Sequence, residues 1–277
     1  MTNKMHHLSW HDGVELLDVQ LQGHPFGKHS HDAYAIGIME HGTGGNVYRG
    51  ERQVLPEKTL SLMNPDELHD GFSISESLKY KMIYVSEKSM RALLGINVLH
   101  GFREYAAHDT DGTTAISLNR VHTLLEQKDH VGWRLAVDSE ITTMLEAVMS
   151  RHSKIDLRKK GKEPRAVSII KNYLNDLTLT ASRGSGSPPG ESVTLEALAQ
   201  LVDLNQNYLL NVFSQHVGIS PYAYWMSRRI GAAKKLVAQG WSLSSVAQEL
   251  GFYDQAHFTR AFKKAIGVTP GQLVRHP

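Results

Sequence analysis

The sequence predicts a two-domain α+β protein, with a small antiparallel β-barrel or sandwich first and an all-helical domain last. Three observations predict it. Residues 10 to about 85 place short apolar runs between turn signals rich in Gly, Asp, Asn and His. From about Ser117 the apolar positions recur with a period near 3.6. Towards the C-terminus one helical plan occurs twice, at a shift of 49 residues.

Composition bounds the possibilities. The chain has 277 residues, 41% of them hydrophobic, enough for one large domain or two ordinary ones. It has no cysteine, which excludes disulfides and thiolate zinc sites and fits a reducing compartment such as the cytoplasm. No apolar run of 7 to 15 residues follows a basic start, and none reaches the ~18 residues of a membrane span, so no membrane partner is expected. Lys plus Arg exceed Asp plus Glu by 11 to 7 in residues 163–277 and trail them by 19 to 21 in residues 1–162. The small positive excess is therefore C-terminal, the sign expected of a nucleic-acid-binding module.

In chain order, "YAIGIM", "GNVYRG", "TLSLMN" and "YKMIYVS" read as strands. His6, His7 and His11 precede them and read as a flexible arm. Leu118, Val121, Leu124 and Leu125, then Leu135, Val137, Ile141, Met144, Leu145 and Val148, predict two amphipathic helices joined around "KDHVGW". The basic stretch "RHSKIDLRKKGKEP" reads as an interdomain linker. "RAVSIIKNYLND" reads as a further helix. Residues 177–193, which contain "SRGSGSPPG", cannot build a core and predict a flexible loop, ending where Thr194 caps a helix. The boundary is expected near residue 160, with domains at 1–160 and 161–277.

The repeat lays "VGISP" on "IGVTP", Phe213 on Phe262, Leu209 on Phe258 and Leu201 on Leu250. Each copy predicts a short helix, a tight break, a second helix capped by Asn205 or Asp254, a Gly stop and a Ser/Thr-Pro start to the next helix. This is the helix-turn-helix plan. A helix entering the major groove needs hydrogen-bonding side chains on one face and an apolar stripe on the other. Gln255, Thr259, Arg260 and Lys263 supply the first, Phe258, Ala261, Phe262 and Ile266 the second. The helix from Pro221 to about Gln239 would set the distance between the two units.

"SLSSVAQELGFYDQAHFTRAFKKAIGVTP" resembles the C-terminal signature of the AraC/XylS transcription regulators, and "VTLEALAQLVDLNQNYLLNVFSQHVGISPYAYWMSRRIGAAKKLV" resembles their first helix-turn-helix and connecting helix. The resemblance implies two recognition helices, each reading one major groove. Carried over by position, DNA contacts fall on Asn205, Gln206, Asn207, Leu210, Asn211 and Arg228 in and after the first unit. In the second they fall on Asp254, Gln255, Ala256, Thr259, Arg260, Lys263 and Lys264. Leu210 and Ala256 would be apolar contacts, for instance to a thymine methyl. Asn211 stands where the family often has Arg, and Asp203 where Gly is usual in the turn.

"HPFGKHSHDAYAIGIMEHGTGGNVYRGERQVLPEKTLSLMNPDELHDG" resembles the cupin-type effector domain of the same regulators. The resemblance implies a cupin-like β-barrel that holds a small-molecule effector, with residues 117–150 as a helical dimerisation segment. The implied effector contacts are His29, His31, Tyr34, Tyr48, Glu67 and His69. Similarity of "HSHDAYAIGIMEHG" and "NPDELHDG" to regulators of amino-acid export makes an amino acid or similar polar metabolite the expected effector. His29, His31 and His69 could also hold a metal, as in catalytic cupins, but the glutamate that usually completes such a set is replaced at Ala35 or Ile36. The reading is a DNA-binding transcription regulator and homodimer, with double-stranded DNA, a small molecule and RNA polymerase as partners, no cofactor and no catalytic residue. The alternative is a metal-dependent cupin enzyme using those three histidines.

Overall fold

The computed structural model describes residues 3–22, 26–126, 132–154, 163–181 and 193–274. Most of the linker sequences at 127–131 and 155–162, and residues 182–192 of the expected loop, lie outside the described residues. The chain divides into two compact units, 1–123 with 140–158, and 124–139 with 159–277.

Among the described residues, the first unit holds ten strands. These are β1 Lys4–His7, β2 Val14–Gln22, β3 Phe26–His29, β4 Ala33–His41, β5 Gly44–Tyr48, β6 Glu51–Leu55, β7 Thr59–Met63, β8 His69–Ser73, β9 Ser77–Ser86 and, further on, β10 Ala106–His108. They form one sheet in the order β1-β2-β9-β4-β7-β10 and a second in the order β3-β8-β5-β6, with the pairings antiparallel. His6 and His7 are not in a loose arm: β1 pairs with β2 from Lys4 opposite Asp18 to His7 opposite Glu15. The backbone ladder, not an apolar face, holds this strand, which is why its polar sequence concealed it.

Successive residues of β4 point to opposite faces. Ala35 and Met39 join a core cluster with Tyr48 and Leu55 of the second sheet and Met63, Leu78, Tyr80 and Met82 of the first. Tyr34, Ile36 and Ile38 alternate with them and are also buried, so the strand is covered on both faces and reads as one apolar run. Gly37 lets Met82 pack close: a Cβ there would stand 2.4 Å from its sulfur, so the methionine would have to shift.

Helix α1 Glu87–Leu94 is capped by Ser86, whose hydroxyl accepts from the Ser89 N–H at 3.2 Å, and ends at Gly95 in the left-handed region. Helices α2 Thr113–Glu126 and α3 Trp133–His152 follow. The carboxylate of Asp109 accepts from Thr114 N at 3.3 Å and Ala115 N at 3.0 Å, meeting two orphan donors of α2. The stripes of both helices are spent within the chain: Leu118, Val121, Ile141, Met144, Leu145 and Val148 are all buried. On α2, Ile116, Asn119, Arg120 and Thr123 remain exposed. Residues 133–139 of α3 fall in the second unit and 140–152 in the first.

The second unit continues with α4 Pro164–Ala181, α5 Leu195–Leu201, α6 Gln206–Val217, α7 Pro221–Ala238, α8 Leu243–Glu249, α9 Gln255–Ile266 and α10 Pro270–Val274. Helix α4 runs through Ala181, so the loop expected from residue 177 begins later. Val193, at its other end, is buried in the core.

Candidate functional site

The two helix-turn-helix copies are α5–α6 and α8–α9, and their caps explain their ends. Thr194 Oγ1 accepts from Ala197 N at 3.0 Å, and Ser242 Oγ from Ser245 N at 3.1 Å. Asn205 Oδ1 accepts from Asn207 N at 2.9 Å, and the Asp254 carboxylate accepts from His257 N. Gly218 and Gly267 close α6 and α9 in the left-handed region. Asn205 and Asp254 are thus committed to capping, which makes them organisers of a recognition helix more than readers of bases.

The repeat is not uniform. The first helices are offset by 48 residues, Leu195 on Leu243, while the second helices are offset by 49, Gln206 on Gln255. The second turn therefore holds one extra residue. Val202, not Leu201, matches Leu250, which accounts for Leu201 being exposed while Leu250 is buried. Asp203 and Gly251 then coincide, and both are left-handed, with φ of 52° and 68°. Asp203 holds a glycine conformation that costs a non-glycine residue ~1 kcal/mol or more.

The outer faces of α6 and α9 differ more. On α9, Gln255, Ala256, Arg260, Lys263 and Lys264 are exposed. Thr259 is half-buried, and its hydroxyl donates to the Gln255 carbonyl at 2.8 Å. On α6 the matching positions turn inward. Leu210 is 3% exposed and lies in the core cluster, so the expected thymine contact is not available to it. Asn207 is 7% exposed, and its Oδ1 accepts from Asn211 Nδ2 at 3.1 Å. Gln206 is half-buried. The reason lies in the two cores. Among the described residues, the cluster around α9 draws on α7, α8, the turn and α9 itself, whereas that around α6 also takes Val167, Ile170 and Leu174 from α4 and Leu135 from α3. Of the earlier residues, Arg228 on α7 is exposed as a phosphate contact requires.

In the first unit His29, His31 and His69 do come together, with ring centroids 4.4 Å apart for His29 and His69, 4.9 Å for His31 and His69, and 6.5 Å for His29 and His31. Each Nδ1 lies within hydrogen-bond distance of a nearby carbonyl: Gly27 at 2.9 Å, Ala33 at 2.7 Å and Glu67 at 2.9 Å. Donation from Nδ1 leaves each Nε2 as an acceptor. Burial pushes the imidazoles of His31 and His69 below their ordinary pKa, and neighbouring His29 adds to it. Among the described residues no group of three or more His, Asp or Glu side chains is arranged to hold a metal ion.

A cavity of about 130 Å³ lies beside them, comparable with cavities that accept one benzene-sized guest. Its walls are mostly apolar, with Met39, Met63, Met82, Leu78 and Phe72, and its polar groups include His29, His69, Asp70, Asn46 and Ser61, with Tyr80 and Tyr84 also on the wall. The other expected contacts are placed elsewhere. Tyr34 points to the opposite face of β4 and packs edge-on against Phe102, because its position alternates with Ala35. Tyr48 donates to Glu67, its oxygen also accepts the Asn64 N–H at 3.1 Å, and Arg49 pairs with the same Glu67 carboxylate. Tyr48 and Glu67 thus satisfy one another beside the cavity, and neither lines it. Asn46 is the residue that sequence reasoning missed: it is 3% exposed on the cavity wall, and its Oδ1 has no partner among the described residues. Asn46 falls in "GNVYRG", which reads as a strand, but the sequence does not say that its amide lines a cavity; the pairing of β5 with β6 and β8 places it there.

Two family models match the chain, an AraC-like ligand binding domain over residues 12–145 and a helix-turn-helix domain over residues 198–276. The chain is an AraC-family transcription regulator. This AraC-family chain is 28% identical over 238 residues to the uncharacterized HTH-type transcriptional regulator YbfI of Bacillus subtilis (strain 168), covering 84% of this chain and 81% of that one. It is 24% identical to the HTH-type transcriptional activator RhaS of Enterobacter sp. (strain 638), covering 93% and 90%. Among solved structures, ToxT from Vibrio cholerae O395 aligns over 96% of this chain and 99% of its own, at 13% identity and a TM-score of 0.38. The AraC-family assignment makes the protein a regulator and not an enzyme, so the metal-dependent cupin alternative falls. No helix among the described residues is long and apolar enough to cross a membrane.

Proposed function

We propose that this regulator binds a small effector in the cavity between its two sheets and acts as a transcriptional activator. The observation that carries the effector reading is Asn46, a buried amide on the wall of an apolar cavity with an oxygen that lacks a partner among the described residues. A buried polar atom left unpaired costs ~1–3 kcal/mol, and a ligand that meets it recovers that energy on binding. The apolar walls favour a small metabolite with an apolar body and a hydrogen-bonding edge, an apolar amino acid among them. His29 and His69 would meet the same edge.

On the DNA side, Gln255, Ala256, Thr259 and Arg260 would read bases, and Lys263, Lys264 and Arg228 would neutralise phosphates. The names of the RhaS relatives support the activator sense, and with it contact with RNA polymerase. A homodimer through residues 117–150 would use the exposed side of α2 around Asn119, Arg120 and Thr123, with Ile116 just before them, in a cytoplasmic protein.

The test is thermal unfolding of the full chain against amino acids, sugars and small aromatic acids, in wild type and in Asn46→Leu. A ligand at 100 times its dissociation constant should add ~2.7 kcal/mol to wild type and much less to the variant. An equal rise in both would remove Asn46 from the site, and no rise with any compound would count against the effector reading.

A further inference from the structure

Helix α7 joins the two helix-turn-helix copies, and one charged side chain is sunk in its middle. Arg229 is 2% exposed and is the largest fully buried side chain among the described residues. Its Nε donates to the Leu250 carbonyl at 2.7 Å, and Leu250 is the C-cap of α8, where a helix leaves carbonyls without internal partners. Its guanidinium carbon lies 4.3 Å from the ring centroid of Phe252 and 5.2 Å from that of Trp225. Trp225 belongs to the core of the first copy and Phe252 to the core of the second. Phe252 in turn packs on His257 and Phe258 of the recognition helix, at 5.5 and 5.2 Å.

A buried guanidinium is expensive, since burial disfavours its charged form. That cost shows in a pKa drawn down to about 10, which still leaves the group protonated at neutral pH. Leucine or methionine would fill such a space at less cost. Neither can stack a plane on two rings and donate to a helix end at once, which a guanidinium can. The contacts span both copies, so they restrain the pose of one against the other more than the stability of either. Two recognition helices on one rod must meet major grooves about one helical turn, ~34 Å, apart, and an error in their angle is felt at every base contact.

We propose that Arg229 is a positioning residue for DNA recognition, clamping the turn of the second helix-turn-helix unit to the connecting helix and so fixing the relative pose of α6 and α9. This rests on the reading that both recognition helices meet DNA, and the test separates the two claims. The chain has no cysteine, so Gln215→Cys on α6 and Ala265→Cys on α9, both exposed, place exactly two spin labels on the full-length protein. Pulsed electron resonance would then be compared in the Arg229 background, in Arg229→Lys, and in Phe252→Leu, which keeps the arginine and removes one ring. Both variants should widen the distance distribution while the circular-dichroism spectrum stays unchanged.

In parallel, unlabelled wild-type protein would select its duplex from a randomised library. The variants should lose at least tenfold in affinity for that duplex, and less than threefold for a duplex keeping only the half contacted by α9. Distributions as narrow as the parent's in both folded variants would overturn the clamp. Equal affinity losses on full and half duplexes with unchanged distances would also overturn it, since Arg229 would then act within one unit. If the wild type selects no duplex, the assignment of the recognition helices fails, and the distance measurement still decides the clamp.

Discussion

Asn211 donates its side-chain N–H to the Oδ1 of Asn207 at 3.1 Å, so the two amides expected to read the first half of an operator are bonded to one another. One turn along, Leu210 is sealed in the core. The exposed hydrogen-bonding face required for base readout is present on α9 and largely withdrawn on α6. The two halves of the operator should therefore differ in how sharply they are read.

The first prediction concerns α9. Arg260→Ala and Thr259→Ala should each weaken specific DNA binding by ~1–3 kcal/mol, Arg260 more than Thr259, whose hydroxyl proton is already spent on the Gln255 carbonyl. Lys263→Ala should weaken binding to all sequences and lower the salt slope by about 1. Titrations of the selected duplex at several salt concentrations check this. Unchanged affinity in all three variants would sink the assignment of α9.

The second prediction separates core from interface at one aligned position. Leu210→Ala should cost ~2–5 kcal/mol of stability in urea unfolding, as for a buried leucine. Thr259→Ala, its counterpart in the second copy, should cost well under that. Comparable losses at both positions would mean that the two faces are equally buried.

How far the sequence carried the reading can be judged residue by residue. Helix caps are local chemistry, so Thr194, Asn205 and Asp254 were legible as caps, and the structure keeps them. Strand β4 was legible as a strand, but it is one apolar run covered on both faces, so nothing in it says which face meets the cavity, and Tyr34 was assigned to a site it turns away from. The extra residue in the second turn was hidden because the shift of 49 fits the longer, better-marked second helices. Leu210 was misplaced for a tertiary reason: its burial depends on α4 and Leu135, far away in the chain. Arg229 lay within a quoted helix, where Lys and Arg ordinarily mark a solvated face; only the position of Phe252 and the Leu250 carbonyl reveals its burial.

A third prediction rests on Lys81, whose side chain is 4% exposed and holds Glu40 at 2.7 Å and Asp18 at 3.4 Å. Removing one partner of a buried ion pair strands the other, at a typical cost of ~3–5 kcal/mol. Glu40 and Asp18 are themselves partly exposed, so Lys81→Ala should fall at or below the low end of that range. Lys79 also reaches Glu40, at 2.8 Å, from a more exposed position, and Lys79→Ala should cost under ~1 kcal/mol. Equal effects in urea unfolding would show that burial does not distinguish the two lysines.

The last prediction is a pH dependence centred on His122 of α2. It is buried 5.5 Å from the ring of His6, and its Nε2 has no hydrogen-bond partner among the described residues. Burial draws its pKa down to about 4; Lys81 and His6 reinforce the shift, and Asp18 and Glu40 oppose it. The unfolded chain takes up this proton near pH 6.5, whereas the folded one refuses it until about pH 4. Across that window the unfolded state holds more protons, so acid favours unfolding and stability rises with pH. His31 and His69, also shifted downward, act in the same direction below pH 6.5. Urea unfolding at pH 7.5, 6.0 and 5.0 should show stability falling as pH falls. His122→Gln, which fills most of the same space without titrating, should lose part of that fall and leave the share belonging to His31 and His69. An identical pH slope in the variant would mean that His122 is protonated as readily in the folded chain as in the unfolded one, and that its burial carries no electrostatic cost.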